Sequence, residues 1–180
     1  MRYLTLSSAL VVAGFVTGLG SAIHGLDVWG LKAVADAPGW QEWRLGASDK
    51  MQIYAFGHFL GQGQLPPTMS SRYFSRNTDD DGNLLRAGCS YALKSAPISS
   101  RWWSINIGTS DLAAERAEIS AGQLILAPDG TFKLMISRSP SAGNWLVPPN
   151  SNSIIVNLSL NEPGVGKNFD LPKITKVGCS

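Results

Sequence analysis

The chain has 180 residues, of which 16% are charged, and its 15 Lys and Arg against 13 Asp and Glu leave a formal net charge of +2. That length allows one domain with its own hydrophobic core and an additional segment. So small a net charge provides no extended field of one sign, which argues against nucleic-acid binding. The 19 Gly and 10 Pro favour strands and turns over a helical bundle.

The first segment, from Tyr3 to Ile23, contains no charged residue. A helix of that length spans roughly 30 Å, the thickness of the hydrocarbon core of a bilayer. We therefore predict that residues 1–26 form a transmembrane anchor and that residues 4–23 contact the lipid bilayer. The alternative is a cleaved signal peptide, with Arg2 as its basic end. Both alternatives place the rest of the chain outside the cytoplasm.

The next segment, residues 27–48, mixes Gly and Pro with three Trp and a few charges, and we predict a juxtamembrane linker there. Asp49 then provides a helix N-cap, because its carboxylate can accept hydrogen bonds from the free amides of the first turn. The helix is predicted over Lys50 to Leu60. Residues 49–180 are assigned to one folded domain.

From about residue 70 the pattern changes to short strands separated by turns. The predicted strands are Arg72–Ser75, Leu84–Lys94, Arg101–Ile107, Gln123–Ala127, Thr131–Ser137 and Ile154–Leu160. The pairs Asp81-Gly82 and Asp129-Gly130 are hairpin-turn signals. The predicted fold class is mainly β, an antiparallel sandwich or jelly-roll-like domain, with a short helix and one N-terminal transmembrane helix.

The strand Arg101–Ile107 alternates in polarity with the two-residue period of a sheet. Trp103, Ile105 and Ile107 share one face, which we assign to the core, while Trp102, Ser104 and Asn106 share the other.

Four residues are candidates for binding a ligand. They are Arg101, Trp102, Asn144 and Trp145, which could line a groove for a sugar, lipid or peptide. The alternative is that both Trp side chains fill the ends of the sandwich and that Arg101 pairs with a local carboxylate.

The predicted export bears on the state of the two cysteines, Cys89 and Cys179. In an oxidising compartment a pair at distant positions is a reasonable disulfide, and the alternative is two unpaired thiols. Closing a loop of roughly 90 residues would contribute on the order of 4 kcal/mol in the chain-entropy model. No Cys-x-x-Cys spacing indicates a redox-active role.

No motif for catalysis, a metal or a cofactor stands out. Asn77-x-Asp79-x-Asp81-Gly82 resembles the start of a calcium loop, but Gly88 replaces the final bidentate Glu, which favours a polar turn. His24 and His58 lack partners at zinc-ligand spacing. We predict no metal, no cofactor and no catalytic residue.

Four segments together resemble a known family, the domain of unknown function 1214. They are Arg101-Trp102-Trp103-Ser104-Ile105, Asp129-Gly130-Thr131-Phe132, Gly143 to Pro148 and Leu171 to Val177, and their order and spacing match over residues 70–180. Short bacterial members with one membrane span and a Cys-x-Tyr like Cys89-Ser90-Tyr91 are similar over nearly the whole chain.

The resemblance implies a jelly-roll-like domain in the bacterial envelope and a companion protein that carries the domain of unknown function 1254. It implies no established reaction. We therefore expect a single-pass protein of the inner membrane with a periplasmic C-terminal domain, acting as a non-catalytic binding or assembly module. One alternative is an envelope hydrolase of a glycan or lipid, using carboxylates such as Asp111, Glu115 or Asp129 with Arg101. The other is a structural partner of a companion membrane protein.

Overall fold

The structure is a computed structural model that describes residues 2–28, 31–34, 37–43, 71–109, 116–163 and 170–179. Its internal contacts divide the chain into two units. The first comprises Met1–Leu31 and Arg44–Pro66, and the second comprises Lys32–Trp43 and Pro67–Ser180. The predicted helix at Lys50 to Leu60, with Asp49 and His58, lies outside the described residues.

The first unit contains the helix α1, Arg2–Val28. The prediction that the N-terminal segment is helical is confirmed. In the part of the chain that the structure describes, no helix is long and apolar enough to cross a membrane. The assignment of residues 1–26 as a transmembrane anchor is therefore not supported.

The second unit is built almost entirely from strands, and the mainly β prediction is confirmed. The described strands are β1 (Leu31–Ala33), β2 (Gln41–Trp43), β3 (Ser71–Arg76), β4 (Cys89–Ser95), β5 (Ser100–Gly108), β6 (Ala117–Ser120), β7 (Phe132–Ile136), β8 (Asn144–Leu146), β9 (Ile155–Pro163) and β10 (Lys173–Cys179). A 3₁₀ helix, Ala121–Gln123, follows β6.

These strands form two sheets. The six-stranded sheet has the order β1-β2-β3-β9-β5-β6, with β9 between β3 and β5. The four-stranded sheet has the order β10-β4-β7-β8. In the second sheet β4 pairs antiparallel with both β10 and β7, whereas β8 runs parallel to β7. The four-stranded sheet is therefore mixed, whereas the β2–β3, β3–β9, β5–β9 and β5–β6 pairs of the six-stranded sheet are antiparallel, as predicted.

One hydrophobic core is shared by the inner faces of the two sheets. Trp103, Ile105 and Ile107 of β5 are buried in it, as predicted from their alternation. The ring of Trp103 stacks on Phe132 of β7, with centroids 5.1 Å apart, and so links one sheet to the other. Aromatic pairs at this distance contribute beyond the apolar area that they bury.

Trp40 joins the same core, although the sequence assigned residues 27–48 to a linker. Its side chain is 1% exposed, and its indole N–H donates to the carbonyl of Pro172 at 2.9 Å. A buried indole needs such an acceptor. Lys32–Trp43 therefore belongs to the folded second unit.

The predicted strand pairings across both turns are wrong, although both turns exist and an isolated antiparallel bridge joins Thr78 to Leu84 across the first. Gly82 and Gly130 have positive φ angles of 84° and 80°, as tight turns require. However, β3 pairs with β2 and β9, and β4 belongs to the other sheet. Before Gly130, the predicted strand Gln123–Ala127 is replaced by the end of the 3₁₀ helix and an irregular segment.

Candidate functional site

Arg101 and Trp102, two of the predicted ligand-binding residues, lie on β5. The Arg101 guanidinium Nη1 is 3.0 Å from Glu162 Oε2, and both side chains are exposed. This contact fits the alternative in which Arg101 pairs with a local carboxylate, and exposed ion pairs of this kind contribute little to stability. Trp102 is 45% exposed on the face opposite the core.

Asn144 and Trp145, the other two predicted residues, lie on β8 in the four-stranded sheet. The buried Asn144 amide donates to the carbonyls of Ile125 at 2.8 Å and Lys133 at 3.0 Å, and its Oδ1 accepts from the Ile125 N–H at 2.7 Å. The Trp145 indole donates to the carbonyl of Ser137 at 2.8 Å. Asn144 thus holds Ile125, before β7, and Lys133, within β7, against β8, while Trp145 binds the residue after β7.

We expect Asn144→Ala to destabilise the fold by about 1–3 kcal/mol, because it removes three partly buried hydrogen bonds to the backbone of Ile125 and Lys133. The free energy of unfolding from denaturant titration measures this. Asn152→Ala, at an exposed position on a loop, is the control and should change it by less than about 0.5 kcal/mol. Equal stability of the two variants would contradict the role of Asn144 as a structural clamp.

A different cleft, of about 1080 Å³, is present beside β4 and β10. Its lining is mostly polar: Asp79, Asn83, Leu84, Arg86, Gly88, Cys89, Tyr91, Arg138, Asn150, Ser151, Asn152, Lys176 and Cys179. We call this the cationic cleft, because three of these side chains are cations and one is a carboxylate. None of the four predicted ligand-binding residues lines it.

The three cations of the cleft come from separate parts of the chain. Arg86 lies on the loop before β4, and its backbone N–H donates to the hydroxyl of buried Tyr91 at 2.9 Å. Arg138 follows β7 and is held by the carbonyl of Ala87 at 3.1 Å and by Asn150 Oδ1 at 2.9 Å. Lys176 lies on the exposed part of β10.

The electrostatic balance of the cleft favours an anion. Asp79, the only carboxylate among the described residues of the lining, is 1% exposed and turned into its own loop. Its Oδ1 accepts from the backbone N–H groups of Asp81 at 3.1 Å and Asn83 at 2.8 Å. Among the described residues, neither the Arg86 guanidinium nor the Lys176 ammonium has a carboxylate partner. Two cations of the cleft are thus open to a ligand.

The disulfide Cys89–Cys179 is confirmed, with an S–S distance of 2.05 Å. The two residues are direct partners in the β4–β10 register, so the bond ties the edge strand to its neighbour. It also forms part of the wall of the cationic cleft. Lys176 on β10 and Arg86, which precedes β4, line the same cleft as this bond.

The sequence predictions missed all three cations of the cleft. Arg86, Arg138 and Lys176 are dozens of residues apart and share no motif. The one available signal was the pairing of Cys89 with Cys179, which brings the flanks of both cysteines together. Arg138 had no such signal, because its position depends on the register of β7 against β4.

Of the carboxylates proposed for a hydrolase, Asp129 lies within the described residues. Asp129 lies in an exposed turn, where hydrogen bonds from the hydroxyl and the N–H of Thr131 lower the pKa of its carboxyl. A lowered pKa keeps Asp129 ionised, which is the opposite of what a general acid needs. Asp111 and Glu115 lie outside the described residues.

The second unit defines the class of protein, a mainly β domain of two sheets, and comparison with known proteins identifies its family. The family described as protein of unknown function (DUF1214) matches residues 70–165. The chain therefore belongs to this family, as the sequence motifs predicted. No curated protein matches the sequence.

Two solved structures show the same fold. The VPA0106 protein from Vibrio parahaemolyticus is 19% identical, with a TM-score of 0.55, and the match covers 91% of this chain and 43% of that one. An uncharacterized protein from Burkholderia cenocepacia is 14% identical, with a TM-score of 0.52, and the match covers 96% of this chain and 51% of that one. The chain thus spans about half the length of these two structures.

Proposed function

We propose that the protein is a non-catalytic binding module of the bacterial envelope and that the cationic cleft takes an anionic ligand. The observation that supports this is the convergence of Arg86, Arg138 and Lys176 on one cleft. Asp79, the one carboxylate among the described residues that line it, is bonded within its own loop. A cleft with an excess of cations raises the local concentration of anions.

The side chains of the cleft suit a carboxylate or a phosphate. Guanidinium groups match both anions in planar, two-point hydrogen bonds, whereas Lys contributes a compact charge. Arg138 is already oriented by Ala87 and Asn150, so it loses little freedom when an anion binds. The amides of Asn83 and Asn152 add further polar groups to the lining.

Removing a cation from the cleft is expected to weaken anion binding by about tenfold, the effect of losing one hydrogen bond to a charged group. The variants are Arg86→Gln and Lys176→Gln, and the probes are inorganic phosphate and citrate, measured by isothermal titration calorimetry. Binding should also weaken with added salt, because the cleft is open to solvent.

Lys173→Gln is the matched control for this experiment. Lys173 lies on β10 like Lys176, carries the same charge and is exposed, but it does not line the cleft. It should leave anion affinity unchanged. Failure of both anions to bind, or an equal loss in the Lys173→Gln variant, would contradict the proposal.

The envelope location is also a proposal, supported by the disulfide and by the uncharged segment at residues 3–23. Disulfides persist in oxidising compartments such as the periplasm. We propose that the second unit faces the periplasm and that residues 4–23 attach it to the inner membrane. A reporter enzyme fused after Cys179 should be active only if it is exported, and activity of a cytoplasmic reporter at the same position would contradict this.

A second candidate function, the assembly with a companion protein that carries the domain of unknown function 1254, is favoured by one patch. Ile125 and Leu126, which are consecutive in the chain, are 70% and 46% exposed. The Asn144 clamp fixes Ile125 beside β8, so the patch is presented by an ordered backbone. Exposed apolar residues that are grouped in this way mark interaction surfaces.

Co-purification in mild detergent tests this assembly. The companion should be retained by the unaltered protein and lost from the Ile125→Ser variant. Val177→Ser, which alters an equally exposed residue on β10, is the control. Recovery of the protein alone from cells that make both proteins would exclude the assembly.

A further inference from the structure

The cationic cleft is larger than one small inorganic anion requires. Pockets that enclose a drug-sized ligand measure about 300–1,000 Å³. The cleft, with about 1080 Å³, is just above that range. Its three cations also come from different elements, since Arg86 precedes β4, Arg138 follows β7 and Lys176 lies on β10. A ligand that fills the cleft can therefore carry several anionic groups on one larger body.

Between the cations, the lining of the cleft carries neutral polar groups. Asn83 and Asn152 are exposed, and Ser151 is half-buried. Asn150 accepts from Arg138 Nη2 through its Oδ1 at 2.9 Å, and its amide nitrogen carries two further donors. Amides and hydroxyls complement the hydroxyl groups of a sugar ring, which both donate and accept hydrogen bonds. The lining thus matches an anion whose body is hydroxylated.

Apolar and aromatic surface is scarce in the cleft. Leu84, which is 60% exposed, is the one exposed aliphatic side chain among the described residues that line it. Tyr91 is the one aromatic residue in the same set, and it is 1% exposed, with its hydroxyl accepting from the Arg86 N–H. An acyl chain would find little apolar surface to cover it, and a nucleotide base would find no exposed ring to stack on. The lining therefore disfavours a lipid tail and a nucleotide.

An acidic peptide is disfavoured by the form of β10. This strand is an edge of the four-stranded sheet, and Lys176 and Cys179 of the cleft lie on it. Extended peptides often bind by pairing with such an edge. However, the register of β10 shifts between Lys176 and Gly178, and an irregularity of this kind, together with edge lysines such as Lys173, opposes the addition of a strand. A ligand of the cleft is then held through side chains and not through a backbone ladder.

We propose that the cationic cleft binds an acidic saccharide, an inference that rests on the anion binding proposed above. Arg86, Arg138 and Lys176 contact its carboxylate or phosphate groups. The amides of Asn150 and Asn152 contact its ring hydroxyls. Carboxylates and phosphates make the same two-point hydrogen bonds to a guanidinium, so either kind of charge suits the site. A saccharide with charges at several positions reaches cations from separate elements.

Isothermal titration calorimetry of the full chain tests this with two probes: trigalacturonate, whose charges are carboxylates, and glucose 1,6-bisphosphate, whose charges are phosphates. At least one of them should bind at least about tenfold more tightly than citrate, which has as many carboxylates as trigalacturonate but no sugar ring. The neutral counterparts are methyl-esterified trigalacturonate and glucose. They should bind at least about tenfold more weakly than the acidic saccharides.

Two variants separate the contribution of the charges from that of the sugar ring. Arg86→Gln should weaken the binding of the acidic saccharide and of citrate alike, by about tenfold. Asn152→Ala should weaken only the saccharide, by about fivefold, the effect of one neutral hydrogen bond. Ser153→Ala is the control, because Ser153 is the next residue, is exposed and does not line the cleft. It should change neither affinity.

The possible failures are distinguishable. Equal affinity for citrate and for both acidic saccharides would overturn the assignment of a saccharide and leave anion binding intact. Tighter binding of N-acetyl-triglutamate than of either saccharide would also overturn it, and would identify an acidic peptide as the ligand. Failure of phosphate, citrate and both acidic saccharides alike to bind would overturn the anion binding itself.

Discussion

Trp103→Ala is expected to lower the free energy of unfolding by about 3–5 kcal/mol, the range for truncating a buried aromatic residue. Trp103 is 5% exposed and stacks on Phe132 across the two sheets, so its loss opens a cavity in the shared core. Denaturant titration followed by circular dichroism measures the change.

Trp102→Ala is a control of the same chemistry at the next position. Trp102 points to the opposite face and is 45% exposed, so its truncation should cost less than about 1 kcal/mol. The two adjacent variants remove the same atoms but different amounts of buried surface. Similar destabilisation in both would show that β5 does not have the face assignment described above.

Removal of the Cys89–Cys179 disulfide is expected to cost about 4 kcal/mol, since the bond closes a loop with a sequence separation of 90 residues. The disulfide acts mainly on the unfolded chain, because the conformational freedom of that chain increases when the bond is absent. The double variant Cys89→Ala with Cys179→Ala measures this in denaturant.

The unaltered protein in excess reductant is the matched comparison, and it should unfold at nearly the same denaturant concentration as the double variant. Mass spectrometry after alkylation, with and without prior reduction, verifies the state of both thiols. An unfolding midpoint that does not respond to reductant would show that the bond contributes no stability. Anion binding should weaken as well, because both cysteines line the cationic cleft together with Arg86 and Lys176.

Where the sequence predicted the structure correctly, the signal was local. The alternation in Arg101–Ile107 placed β5 within one residue of its ends and assigned Trp103, Ile105 and Ile107 to the core. Periodicity identifies a face because successive side chains of a strand point in opposite directions. It does not show how deeply the second face is covered, so the burial of Ser104 and Asn106 was not predicted.

The errors in strand pairing have a different cause. The turn residues Asp81-Gly82 specify a local bend, and the bend is present. However, β3 pairs with β9, in a register that places Ser71 opposite Asn161. Turn chemistry acts over four residues, whereas that pairing joins positions 90 residues apart. No local pattern could therefore assign β3 and β4 to different sheets.

The candidate site was harder to predict than the fold. Asn144 and Trp145 were selected for their chemistry, but their hydrogen bonds are used within the fold. In the sequence, Arg86 and Lys176 cannot be distinguished from other surface cations. Only the pairing of β4 with β10 shows that they line one cleft. The positions of cations in a cleft follow from tertiary structure and not from composition.

The position of β9 at the centre of the larger sheet has a consequence for the speed of folding. Both β3 and β5 hydrogen-bond to β9, and β4 pairs with β10. Neither sheet can therefore form completely before β9 and β10 have been synthesised. Proteins dominated by such distant pairings fold in milliseconds to seconds, far more slowly than helical bundles. Until residues 155–179 have arrived, β3 and β5 have exposed edges that can aggregate. The domain is thus most vulnerable late in its own synthesis.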